Sequence, residues 1–504
     1  MNAALVIAPL PPEPSAASAS ASSGEVVART GRAIGWSAMQ QLGINAVSFI
    51  SYIVLARLLK PGDFGLLAYA TVFITLLQAF VDQGIPDAVV QRADLKPSHL
   101  HTAFWFNLAV SCLLAGALAL AAPGVASILG EPRLGPILRA LALVLPLSAL
   151  GGIHQALLKR RLDYRLVSLQ NFLAAFAGTI TALILACRGG GVWSLVGQQL
   201  ASGGCTAFCA ILFCPWLPRF VFAVTELREL FRFSFHITSG ALLDFINRRA
   251  DDFLIGFFLG TTALGIYSLA YRLLVTFTRF ITAPLNSVAF SAFSRLQGDN
   301  EERRRLFYRL TRLAASAAFP LFLGVAAVAP DFLGAIFGLR WIESAPILRI
   351  LCLIGILHSV ALIHGTLLRA SGRPGWQVLF TLGGATTNLV GFFFLVKFGV
   401  AYVAGWYVLS AYLWLGVDLV LIRWVLVHRT LDYLRGFVPA LLIGVAVAAA
   451  MLGLQLALAG HLSVYARLAL EMAVGGALLA FFYRSLLLNP RLALHEAGLL
   501  RKAT

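Results

Sequence analysis

The sequence predicts an all-α polytopic membrane protein of about fourteen transmembrane helices, two sets of six followed by two more, with both termini in the cytoplasm. Three observations carry this. The chain of 504 residues is 59% hydrophobic and 12% charged, with a mean hydropathy of +0.85, whereas a soluble globular chain carries roughly a quarter charged residues. Apolar runs of roughly 20 residues, the length one helix needs to cross a bilayer, follow one another along the chain. Lys and Arg collect in every second connection.

Residues 1–27, rich in Ala, Ser and Pro, lack the basic start and continuous apolar core of a signal peptide and read as a disordered cytoplasmic tail. The predicted spans then cover 33–56, 65–84, 101–122, 137–157, 167–187, 192–214, 234–256, 262–292, 310–329, 346–368, 377–396, 402–422, 437–458 and 465–486. The seventh and eighth are the least clean, because they contain charges. This gives a tail over 1–30, six-helix lobes over 31–232 and 233–435, helices 13 and 14 within 436–488, and a cytoplasmic tail over 489–504.

With the N-terminus inside, 26 of the 39 Lys and Arg residues fall in inside segments or, for Arg312 and Arg484, at the inside ends of spans, 6 in outside loops and 7 elsewhere within spans. Basic residues resist export, so the bias fixes an N-in, C-in orientation and supports an even helix count. It also accounts for the net charge of +17 without a nucleic-acid partner. No outside loop is long enough for a soluble domain. The six cysteines lie in or beside apolar stretches with no CxxC pair, which favours packing over disulfides or metal.

An internal repeat is legible. Leu59, Gly65 and Ala70 of the segment 59–70 match Leu259, Gly265 and Ala270, 200 residues on, and Phe64 and Leu66 face Leu264 and Ile266. Each segment joins the first two helices of a six-helix set on the same side, so the repeat is parallel. Six-helix halves related by an axis along the membrane normal are a transporter plan, with the path between the halves.

Ionisable groups at mid-bilayer cost roughly 2.5–3.5 kcal/mol each on insertion scales and normally face a cavity or a partner. Span 7 reads His236, Gly240, Asp244, Asn247, Arg248, Asp251, Asp252, stepping by three or four along one helical face. Asp244 with Arg248, and Arg248 with Asp252, are i,i+4 pairs, and Arg249 sits at the edge of the stripe. Span 8 carries Arg272 and Arg279 on one face, span 1 Gln40, Gln41, Asn45, Ser48 and Tyr52, and span 2 Gln78 and Asp82. Further polar groups are His154, Gln155, Asn171, Arg349, His358, Asn388 and Asp418. Two readings stay open. Spans 1, 2, 7 and 8 line a hydrated cavity whose arginines suit an anion, since guanidinium forks match phosphate geometry. Alternatively, the charges snorkel or pair only with each other as struts.

No Walker P-loop, HExxH or GxSxG is present, and Gly189-Gly190-Gly191 is a turn between spans. No histidine spacing suits a metal; neither an enzyme nor a cofactor is expected.

Three segments resemble the polysaccharide-flippase family of the multidrug/oligosaccharidyl-lipid/polysaccharide exporter superfamily. They are Leu55-Ala56-Arg57-Leu58-Leu59-Lys60-Pro61-Gly62-Asp63-Phe64-Gly65, Val81-Asp82-Gln83-Gly84-Ile85-Pro86-Asp87-Ala88-Val89-Val90-Gln91, and Asn247-Arg248-Arg249-Ala250-Asp251-Asp252-Phe253-Leu254-Ile255-Gly256 followed by residues 264–272. The resemblance implies two lobes in a V, opening alternately to each side. It implies an undecaprenyl-pyrophosphate-linked oligosaccharide as substrate, moved from the cytoplasmic to the periplasmic leaflet of the bacterial inner membrane for O-antigen, capsule or exopolysaccharide. The expected partners are membrane lipid and a polysaccharide polymerase with its chain-length protein. Arg248, Arg249, Arg272, Arg279, Asn247, Asn45 and Gln41 are the candidate substrate contacts. Asp82, Asp244, Asp251 and Asp252 are candidates for coupling to a proton or sodium gradient. Helices 13 and 14 are expected to be peripheral, a groove for the polyprenyl tail. The rivals are an ion-coupled multidrug exporter, which would favour carboxylates in the cavity, and a membrane-embedded polymerase, which would need a large outside loop.

Overall fold

The computed structural model describes residues 43, 47–82, 85–92, 95–296, 300–371, 374–426, 430–458 and 460–487. The expected tails, with Gln41 and Asn45, lie outside the described residues. Those residues contain α-helices, short 3-10 turns and no strand: α1 Val47–Leu58, α2 Pro61–Asp82, α3 Ile85–Gln91, α4 Pro97–Ile128, α5 Leu134–Ala142, α6 Val144–Arg160, α7 Tyr164–Cys187 and α8 Val192–Phe213. The second half holds α9 Val224–Arg295, α10 Asn300–Ile336, α11 Ala345–Ala370, α12 Pro374–Leu395, α13 Val400–Leu426, α14 Thr430–Arg435, α15 Val438–Ala457 and α16 Val464–Leu487.

Hydrocarbon offers no partner to backbone N–H and C=O groups, so each crossing satisfies them internally as helix. Twelve candidate spans are found among the described residues, with α1 as a shorter apolar helix. One of the twelve covers two expected crossings. α9 is broken at Gly260, whose φ of 83° and ψ of 174° are not helical, and a left-handed φ of this kind suits a residue with no Cβ. The two limbs on either side correspond to the seventh and eighth predicted spans, which agrees with a count of about fourteen. The chain is thus a multi-pass membrane protein.

The turns separate to two ends. At one, the clasped end, Asp63 lies against Gly191, Thr261 Oγ1 donates to Glu131 at 3.1 Å and Trp341 reaches Ala56. At the opposite end Trp105 donates to the Arg219 carbonyl at 2.8 Å, Arg160 to that of Val89 at 3.0 Å, and Ser98 to Glu226 at 3.0 Å. The Thr225 and Ser98 hydroxyls hold the Glu226 carboxyl below its usual range.

The repeat extends well beyond the segment that first signals it. Ala122-Pro123 near the end of α4 recurs as Ala329-Pro330 near the end of α10, and Pro136-Ile137-Leu138-Arg139 recurs as Pro346-Ile347-Leu348-Arg349. Both arginines reach back to the preceding helix, Arg139 to the Ala119 carbonyl at 3.3 Å and Arg349 to that of Ala326 at 3.0 Å. They read as struts. The left-handed glycines follow the same plan, Gly130 with Gly338 and Gly191 with Gly399.

Within the first half α7 packs on α8, and α4 on α5 and α6; in the second, α10 packs on α11, and α11 on α13 and α9. α2 against α9 is the main contact between halves. α15 and α16 attach to α10, where Gly444 sits close over Phe319 and Gly475 against Met451. Small residues let helices approach where lipid supplies no hydrophobic drive.

Candidate functional site

The two copies of the repeat meet each other. A Cβ on Gly65 would stand 1.7 Å from the Thr261 carbonyl oxygen, and one on Gly265 would stand 1.9 Å from that of Pro61. The contact is reciprocal: residue 65 meets residue 261, and residue 265 meets residue 61. That is the arrangement of two equivalent segments about a local two-fold axis along the bilayer normal, and only glycine admits the approach. Around it Trp341, fully buried, donates from Nε1 to the Ala56 carbonyl at 2.8 Å. Arg57 donates to the carbonyls of Ala335 and Ile336, capping the end of α10, where a cation complements the helix dipole. Tyr52, Phe64 and Trp341 form an edge-to-face ladder with centroids 5.3 Å apart at each step. Aromatic pairs of this geometry contribute about 0.5–1.5 kcal/mol each. The halves are therefore clasped at this end. A cleft of about 680 Å³ opens beside the clasp, lined by Lys60, Asp63, Glu131, Arg133, Arg340 and Glu343 among others. Its charges balance, so it selects no sign of ligand.

Deeper along the same seam lies a polar cluster on α9. Arg249 stands 11 residues before Gly260 and Arg272 stands 12 after it, so both lie roughly 16–18 Å below the turn at 1.5 Å per residue. Arg249 pairs with Asp252 at 2.8 Å. Tyr267 donates to Asp251 at 2.6 Å, and the Asp252 backbone N–H donates to the other oxygen at 2.9 Å. Both carboxylates are buried. The Arg272 guanidinium lies over the Tyr52 ring of α1 at 4.3 Å, which puts a cation on the seam between the halves. Arg279, exposed, continues this face two turns further.

The expected residues are thus distributed unequally. Arg249, Arg272, Arg279, Asp251 and Asp252 are described. Asp252 takes Arg249, three residues back, as its partner. The side chains of Asp82, Asp244, Asn247 and Arg248 lie outside the described residues, so the proposed pairs through Arg248 have no described geometry. One buried set escaped the sequence reading. His364 Nδ1 meets Asp418, and its Nε2 meets the Tyr433 hydroxyl at 2.7 Å, joining α11, α13 and α14. The partners are 54 and 69 residues away, beyond any local spacing. Among the described residues no group of three or more His, Cys, Asp or Glu side chains could hold a metal ion.

The model of a polysaccharide biosynthesis protein family matches residues 54–346, more than half the chain. The chain is 29% identical over 322 residues to the succinoglycan biosynthesis transport protein ExoT of Rhizobium meliloti, a match covering 64% of this chain and 65% of that protein. It is 26% identical over 476 residues to the teichuronic acid biosynthesis protein TuaB of Bacillus subtilis, covering 93% and 96%. It is also 26% identical over 344 residues to the lipopolysaccharide biosynthesis protein WzxC of Escherichia coli, covering 67% and 69%. In fold it is similar to a lipid II flippase solved in an inward closed conformation, with a TM-score of 0.75 at 11% identity, covering 90% of this chain and 99% of that one. An inward-facing multidrug transporter of the wider exporter superfamily superposes at 0.58, covering 76% and 97% at 14% identity. These likenesses show the fold. The chain belongs to the polysaccharide biosynthesis protein family.

Proposed function

We propose, from that family membership, that this protein flips an undecaprenyl-pyrophosphate-linked oligosaccharide from the cytoplasmic to the periplasmic leaflet of the inner membrane. The product would feed O-antigen, capsule or exopolysaccharide assembly by a polymerase and chain-length partner. The observation that carries the reading is the Arg272 guanidinium held over Tyr52 at the seam between the halves. A diphosphate travelling between two lobes needs fixed cations on the seam, and guanidinium forks match its oxygens. Arg279, on the same face, extends that track, with Arg248, Arg249, Asn247, Asn45 and Gln41 as further contacts to the substrate.

The lobes, residues 31–232 and 233–435, would rock about this seam, with both termini cytoplasmic. The clasp through Gly65 and Gly265 then closes the periplasmic side. Asp82, Asp244, Asp251 and Asp252 remain the groups whose protonation would couple the movement to an ion gradient. The hydrogen bonds made by Asp251 and Asp252 equally support a part in holding Arg249 and Tyr267 in place.

The test is a strain deleted for this protein, with the lipid-linked oligosaccharide pool and the surface polymer labelled. Repeat units should accumulate on the cytoplasmic side while surface polymer disappears. Normal translocation with a new drug sensitivity would instead favour a multidrug exporter.

A further inference from the structure

α15 carries no charged residue, and α16 carries only Arg467, Glu471 and Arg484. Two of these converge on one residue of α10. Asp331, 4% exposed, accepts a two-pronged contact from Arg467 and a hydrogen bond from Gln455 of α15 at 3.1 Å. Glu471 follows Arg467 by one turn of α16 and is fully buried, 0% exposed. Its carboxyl lies within hydrogen-bond reach of that of Asp331, a bond that two ionised carboxylates cannot make, and no other donor among the described residues reaches either of its oxygens.

The charges do not balance if every group is ionised. Two touching carboxylates would share one guanidinium, and that guanidinium already forks onto Asp331. The elements packed on α16 are α15 and α10, and they bring no further cation to Glu471; on other sides of α10, Arg349 holds the Ala326 and Ala327 carbonyls one turn before Asp331 and Arg57 those of Ala335 and Ile336 one turn after it, each donating to backbone. The other charged residues of α10 lie between Glu301 and Arg312, 19 or more residues from Asp331 and so roughly 28 Å away along the axis. Arg484 is 13 residues beyond Glu471, roughly 20 Å along its helix. Like charges at such a distance in a dry site cannot both persist, and one group takes a proton. Asp331 keeps its charge because Arg467 and Gln455 serve it. Glu471 therefore carries the proton.

We propose that Glu471 and Asp331 form a proton-binding site in which the protonated Glu471 carboxyl donates to the Asp331 carboxylate. Release of the proton to water leaves two carboxylates on one arginine and loosens the hold of α16 on α10. The site sits one turn from Ala335 and Ile336, whose carbonyls receive Arg57. Proton occupancy thus bears on the segment of α10 that the first half grips. At the corresponding place in the first half, next to Pro123, stands Gly124, with open space around it. The carboxyl is an addition of the second half, at the place where the two extra helices pack.

The test uses the full-length protein in lipid nanodiscs and infrared difference spectra between acidic and alkaline buffer, in water and in deuterium oxide. The wild type should show the carbonyl stretch of a buried protonated carboxyl, shifting on deuteration. E471Q, whose amide can still donate to Asp331, should fold with an unchanged circular dichroism spectrum and lose that band. D331N should lose it too, because Arg467 then pairs with an ionised Glu471; this keeps the test decisive if E471Q fails to fold. A set of carboxyl bands that neither substitution changes, no such band in the wild type, or a response to sodium at fixed pH with none to pH would overturn the proposal. None of these readouts needs a substrate, so they stand or fall separately from the flippase reading.

Discussion

At the scale of single residues, the cluster on α9 separates arginines by what they touch. Arg249 is committed to Asp252, while Arg272 has only the Tyr52 ring as a described contact. Removing Arg249 leaves a buried acceptor without its donor, a loss of about 1–3 kcal/mol. Removing Arg272 forfeits a cation–π contact of about 0.5–2 kcal/mol at most and strands no buried charge. R249A should therefore lower the thermal midpoint in detergent clearly. R272A should melt close to the wild type yet reduce surface-polymer export about tenfold or more, equivalent to about 1.4 kcal/mol. Equal melting losses with equal export in the two variants would remove Arg272 from the substrate path. The sequence made both arginines visible, because charges stand out against an apolar run. It paired Asp252 with Arg248 by i,i+4 spacing, whereas the described partner is Arg249, three residues back; both spacings bring side chains together on a helix, so spacing alone does not rank them. The His364, Asp418 and Tyr433 set was illegible for a different reason, since its members become neighbours only after α11, α13 and α14 assemble.

Among elements, the connection between the first two helices of each half is where sequence and structure agree most closely. Gly65 and Gly265 stood out as matched positions 200 residues apart, and they are the residues at which the copies touch. A short motif survives in both copies where backbone meets backbone, because no side chain can substitute. The rest of the repeat, such as Pro136 to Arg139 against Pro346 to Arg349, was equally present in the sequence. It emerges once the turns are paired, since the spacing shifts from 200 to 210 residues between the two matches. Arg57 on the end of α10 was hidden, being a contact to carbonyls 278 and 279 residues away. G65A and G265A should each prevent the clasp from closing, as a Cβ cannot approach a carbonyl oxygen to less than 2 Å. In a background lacking the six native cysteines, a cysteine at the buried Leu59 should then react severalfold faster with a membrane-impermeant maleimide than in the unaltered clasp. An unchanged rate would mean that the backbone shifts to accommodate the methyl group and the clasp persists.

For the whole molecule, the clasp is a statement about which state the structure holds. Two parallel halves joined at one end of a seam can expose its deeper part only towards the other end. Transport by rocking then requires the clasp to open once per cycle. Gly62 and Thr262 lie on opposite sides of it, with an ideal Cβ on Gly62 3.4 Å from Thr262 Oγ1, within the reach of a disulfide. In a background lacking the six native cysteines, the G62C/T262C pair should crosslink under mild oxidation and stop export, and reduction should restore it. The single substitutions should export normally under the same oxidant. If the crosslinked protein still exports, the clasp is a permanent joint, and the moving boundary must be sought elsewhere. The attachment of α15 and α16 to α10 would then be the next boundary to test. Arrest that reduction reverses would make the two-fold contact between repeats a gate, and would tie the symmetry written in the sequence to the movement.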